Sequence, residues 1–186
     1  MLGMALWIIE APINAAESPV RPGDHIAFVG NTFADQLRSH GFLETLLLQR
    51  SAGNPVSIRN LGWAGDMLTA RDRPTNFPAE ASTLAAHKTD VIIACFGMGE
   101  SFAGESALME FKNNLIAFIA SYRASKYNGK SEVRLVLVSP IAYENLGLRT
   151  PRWQERNREL SAYTRIMSET ASKMGVPFVD LYGPTT

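Results

Sequence analysis

The sequence predicts a doubly wound α/β domain, a five-stranded parallel sheet with helices on both faces, and three observations predict it. Five short runs, at 25–29, 56–60, 90–96, 133–139 and 177–181, are rich in Val and Ile. They are apolar without alternation, as strands buried on both faces are. Between them lie stretches with apolar residues at helical spacing. The alternation of the two kinds implies right-handed crossovers and a parallel sheet, with an expected strand order of 2-1-3-4-5.

Each helix has its own pattern. The stretch 33–50 places Leu37, Phe42, Leu46 and Leu47 on one face, and a shorter helix is expected over 79–88. The stretch 106–126 carries Leu108, Phe111, Leu115, Ile116, Phe118 and Ile119, and 152–174 carries Leu160, Tyr163, Ile166, Met167 and Met174. After the fifth run the chain reads Tyr182-Gly183-Pro184-Thr185-Thr186, with no further helix expected. The domain is therefore taken as 21–186, incomplete at its C-terminal side. A length of 186 residues suits one such domain.

Eighteen basic residues balance 18 acidic ones, and no basic run interrupts that balance. Nothing in the charge favours nucleic acid or an anionic membrane as partner. The lone cysteine, Cys95, lies in the apolar run 91–96, which reads as a buried core thiol and rules out an internal disulfide. No pair of histidines has metal-ligand spacing, and no metal or cofactor is expected. Residues 1–20 resemble an export signal: 1–9 are apolar and 11–16 are rich in small residues. Glu10 interrupts the apolar stretch, no basic residue precedes it, and a flexible extension is the other reading. The export reading implies a secreted or periplasmic protein.

Open parallel sheets bind ligands beyond the carboxyl ends of their strands, at the switch in strand order. The loops there read Gly30-Asn31-Thr32 after the first strand and Asn60-Leu61-Gly62-Trp63-Ala64-Gly65-Asp66 after the second. They continue with Gly97-Met98-Gly99-Glu100 after the third and Ser139-Pro140-Ile141-Ala142-Tyr143-Glu144 after the fourth. Asn31 or Thr32 can cap the helix that follows, beside unpaired backbone N–H groups. A hydroxyl there suits a nucleophile, and a plain cap is the competing reading. Trp63, Phe102 and Tyr143 are candidates for lining a pocket.

These blocks resemble the SGNH hydrolase superfamily, the GDSL-like esterases and lipases, over about 22–182. In that family the first block is Gly-Asp-Ser with Ser as nucleophile, so the resemblance places Thr32 at the nucleophile position. Asn60-Leu61-Gly62-Trp63-Ala64-Gly65 matches the second block and makes Gly65 an oxyanion N–H donor. The third block, Gly-x-Asn-Asp/Glu, is here Gly97-Met98-Gly99-Glu100, so Gly99 stands where the family has its oxyanion Asn. The Asp-x-x-His block has no counterpart. His25, His40 and His87 are all expected away from Thr32, and Asp180 is expected to be structural.

The resemblance implies acyl transfer on a small-molecule ester or carbohydrate ester, impaired by these departures. Asn31, Trp63, Asp66, Glu100 and Glu144 are the expected substrate-binding residues. A non-catalytic small-molecule or glycan-binding module on the same scaffold is the alternative. A flavodoxin-like FMN binder fits less well, because the loop after the first strand lacks a phosphate-wrapping run of Ser, Thr and Gly.

Overall fold

The computed structural model describes residues 18–51 and 53–186. The expected export signal at 1–20 thus lies almost wholly outside the described residues. Five strands form one parallel sheet: β1 (His25–Gly30), β2 (Ser57–Asn60), β3 (Val91–Cys95), β4 (Arg134–Val138) and β5 (Phe178–Val179). Their order is β2-β1-β3-β4-β5, as the sequence predicts. In register, Ile26 faces Ile58 on one side and Val91 on the other, and Ile92 faces Leu135.

The helices are α1 (Thr32–His40), α2 (Phe42–Arg50), α3 (Glu80–Ala86), α4 (Leu108–Arg123), α5 (Trp153–Met174) and α6 (Tyr182–Thr185). Two expectations are corrected. The single helix over 33–50 is two, because Gly41 takes a left-handed conformation (φ 65°) that ends α1 and turns the chain into α2. A one-turn helix, α6, does follow the last strand: the Asp180 carboxylate accepts from the Tyr182 and Gly183 N–H groups at 2.9 and 3.1 Å.

The strand order explains the layers. The crossovers that reach β3, β4 and β5 all advance in one direction across the sheet, and right-handedness puts their helices on the same face. Leu84 of α3, Phe111, Leu115 and Ile119 of α4, and Tyr163 and Met167 of α5 accordingly share one core with Ala27, Val29, Ile92, Ala94, Leu135 and Leu137. Only the connection from β1 to β2 runs the other way. Leu37, Leu43 and Leu47 of α1 and α2 pack a smaller core against Ile26, Phe28, Val91 and Val136. The switch between the two directions lies between β1 and β3, and the loops leaving those strands diverge there.

Candidate active site

At the end of β1, Gly30 adopts φ 132°, and a Cβ there would sit 2.1 Å from the Cys95 carbonyl oxygen. Only glycine lets β1 and β3 run this close and turn at once. The next amide, of Asn31, donates to that same carbonyl at 3.1 Å. Asn31 is the helix cap: its Oδ1 accepts from the Phe33 N–H at 3.0 Å. Thr32 is therefore the first helical residue, with its side chain exposed at the rim.

The loop after β2 is pinned to the start of α1. The Asn60 side-chain amide donates to the Ala34 carbonyl at 2.7 Å, and its oxygen accepts from the Gly62 N–H at 2.8 Å. Gly62 is pressed onto α1 so closely that a Cβ would meet the Asp35 nitrogen at 2.5 Å. Further along, Gly65 takes φ 90° with open space about it. Asp66 is buried and forms a two-pronged ion pair with Arg73, both contacts at 2.7 Å. This pair fixes the loop, and the strong bidentate geometry occupies both carboxylate oxygens.

Glu100 acts as a second latch. Its oxygens accept from the Leu68 N–H at 2.8 Å and the Gly97 N–H at 2.9 Å, tying the loop after β3 to the one after β2. Burial pushes its carboxyl above the usual range, opposed by these amide bonds. Gly99 has ordinary helical backbone angles (φ −63°, ψ −46°), so glycine is not required by conformation. What stands where its side chain would begin is Met67, whose Cγ would lie 3.0 Å from a Cβ. Across the rim, the buried Ser139 hydroxyl accepts from the Leu181 and Tyr182 N–H groups at 2.8 and 3.1 Å and joins the ends of β4 and β5.

These loops enclose a cavity of 520 Å³ at the switch point, within the usual range for small-molecule sites. Asn31, Thr32, Gln36, Gly65, Asp66, Gly99 and Ser139 contribute its polar edge, and Phe33, Phe96, Met98, Phe102, Pro140, Ile141 and Tyr143 its apolar walls. Cys95 is part of the lining as well, a buried thiol that burial pushes up to about 12. The N–H groups of Gly65 and Gly99 donate to no acceptor among the described residues.

Of the residues expected from sequence, Thr32, Asn31, Gly65, Asp66 and Gly99 meet here, together with Phe102 and Tyr143. Trp63, Glu100 and Glu144 do not line this cavity: Trp63 faces a different one, Glu100 is spent on loop amides, and Glu144 is exposed. Met67, Gln36 and Arg73 are not legible as site residues, because no sequence spacing ties them to the motifs, whereas Ser139 is legible as the first residue of the loop after the fourth strand. No histidine among the described residues reaches this rim. His25 starts β1 at the opposite edge, with its Nδ1 2.5 Å from the His87 carbonyl oxygen, and His40 ends α1.

The fold has solved counterparts. A gut microbial diltiazem-metabolizing enzyme superposes with a TM-score of 0.62 at 19% identity, over 89% of this chain and 38% of that one. An acetylxylan esterase from Geobacillus stearothermophilus gives 0.60 at 15% identity over 89% of this chain and 79% of the other. The aryl esterase of M. smegmatis gives 0.58 at 15% identity, over 84% and 83%. The chain thus spans well under half of the first of these and about four fifths of the other two. No curated protein matches in sequence. The family model of GDSL-like lipases and acylhydrolases matches residues 23–186, nearly the whole of the described domain. The chain belongs to the GDSL-like lipase/acylhydrolase family.

Proposed function

We propose that the chain binds a small acyl or O-acetyl ester in the switch-point cavity, with the Thr32 hydroxyl at the position of attack. The observation that carries this reading is the meeting of an exposed hydroxyl at a helix start with unpaired Gly65 and Gly99 N–H groups around one mainly apolar cavity. Attack by the Thr32 oxygen on the carbonyl would put negative charge on the carbonyl oxygen, and backbone N–H groups stabilise such an oxyanion. The apolar walls suit the acyl group. A carbohydrate alcohol fits the polar mouth, and the acetylxylan esterase named above acts on an ester of that kind.

Turnover is slow under this reading. The Thr32 γ-methyl restricts the hydroxyl's rotation, Gly99 brings no side-chain amide, and no imidazole among the described residues stands at the rim to take the proton. The substitutions at Thr32 and Gly99 favour a second reading, a non-catalytic small-molecule or glycan-binding module on this scaffold. Hydrolysis of 4-nitrophenyl acetate by the purified chain and by Thr32→Ala separates the two. Turnover that disappears in Thr32→Ala supports the nucleophile. Saturable binding without turnover in either protein supports the binding module. Residues 1–20 belong to this proposal as an export signal, which fractionation of expressing cells tests.

A further inference from the structure

A second cavity, of 440 Å³, lies on the other side of the loop after β2. Gly62 and Trp63 face it, while Gly65 and Asp66 of the same loop face the acyl cavity. Four arginines line it: Arg38, Arg59, Arg71 and Arg73. Three are already matched with acids. Arg38 pairs with Asp35, Arg71 with Glu80 at 2.7 Å and Arg73 with Asp66 at 2.7 Å. Arg59, exposed on the edge strand β2, has no acid and no hydrogen-bond acceptor among the described residues. Asp72, the remaining acid of the 71–73 segment, is exposed and does not line the cavity. The cavity therefore holds one uncompensated guanidinium.

Beside it stands an exposed aromatic corner. Trp63 and Phe77 meet edge to face, with ring centroids 5.4 Å apart at 74°, and Phe77 is about half exposed at 48%. Arg73 lies over the Trp63 ring, 4.9 Å from its centroid, and holds it in place. Exposed aromatic surface and a free guanidinium that line one cavity suit a ring face and a planar anion together. A guanidinium matches a carboxylate bidentately and gives up its water more readily than an ammonium does.

We infer that this cavity is a binding site for a six-membered ring carrying a single carboxylate, with the carboxylate on Arg59 and the ring on Trp63 and Phe77. One surplus positive charge matches one carboxylate. The site is separate from the acyl cavity and does not depend on ester turnover. An aromatic acid and an acidic sugar both present this chemistry.

The test is a titration of the full chain with sodium benzoate and with sodium glucuronate, each beside its neutral counterpart, benzamide or glucose. The Trp63 indole N–H signal in the NMR spectrum, assigned with Trp63→Phe, reports binding. A charged ring is expected to shift that signal and to bind roughly tenfold or more tightly than its neutral partner, the effect of one charge-assisted contact. Arg59→Gln removes the preference and Arg59→Lys restores part of it. Arg59 makes no contact that its loss would leave unpaired, so the variant folds as the parent does. Preference for benzoate identifies an aromatic acid and preference for glucuronate an acidic sugar, and either supports the site. Equal binding of charged and neutral rings, or an unchanged preference in Arg59→Gln, overturns it.

Discussion

At Gly30, Thr32 and Gly99 the rim depends on single atoms. Gly30 combines φ 132° with a neighbouring carbonyl that a Cβ would overlap at 2.1 Å. Gly30→Ala is expected to cost about 3 kcal/mol or more in urea unfolding. Gly99 is a different case, since its backbone angles suit any residue. There an Asn has only to displace the Met67 side chain, an overpacking cost of about 1–2 kcal/mol. If the acyl-transfer reading holds, Thr32→Ser removes the γ-methyl and raises the rate of 4-nitrophenyl acetate hydrolysis. Gly99→Asn adds a donor that is worth up to about 10²-fold. A double variant no faster than the parent counts against Thr32 as nucleophile. The sequence made Gly30, Thr32 and Gly99 readable because strand exits are local features. Met67 was not readable, because its place against Gly99 depends on two separate loops meeting.

Elements differed in legibility for the same reason. The inner strands β1, β3 and β4 are buried and show as apolar runs, with ends within a residue of the expected ones, whereas the edge strands β2 and β5, expected to be buried on both faces, are half-exposed because each has a neighbour on one side only. Helix 33–50 was read as continuous because its apolar spacing continues through Gly41, whereas the break depends on one left-handed residue. The segment after β2 was the hardest to read, since it has no periodicity. The sequence points to Asp66 there as a substrate-binding acid. It does line the acyl cavity, yet its carboxylate is held by Arg73 seven residues on. Removing the arginine strands a buried carboxylate. Arg73→Ala is expected to cost toward the low end of roughly 3–5 kcal/mol, because the Arg73 side chain still touches water. It also frees the Trp63 ring that Arg73 covers. Adding Asp66→Asn should recover much of the loss in urea melts. If it recovers none, the arginine acts through packing on Trp63 and not through the charge.

Across the whole molecule the two edges of the sheet divide the work. The carboxyl edge carries the acyl cavity, and the opposite edge carries His25, His87 and Asp90, which join the starts of β1 and β3. Asp90 accepts from the His25 backbone N–H at 2.9 Å, the His25 and His87 rings lie 5.0 Å apart, and the His87 Nε2 is buried without a hydrogen-bond partner among the described residues. Burial lowers the His87 pKa below its ordinary 6.5, and the charges of His25 and Arg59 lower it further. The folded chain thus holds its His87 proton less well than the unfolded chain. Stability from this group is fully present above pH 6.5 and is lost as the pH falls from there through the folded value. Glu100 acts in the opposite sense: its raised pKa favours the folded state at acid pH, and that advantage fades as the pH rises from 4.5. The difference between parent and His87→Gln isolates the histidine. Urea midpoints should fall from pH 7.5 to 5.5 in the parent, and the fall should flatten in His87→Gln. The acyl cavity, a sheet's length away, should keep its ligand affinity in the variant. An equally steep fall in both proteins would place the acid sensitivity elsewhere in the fold.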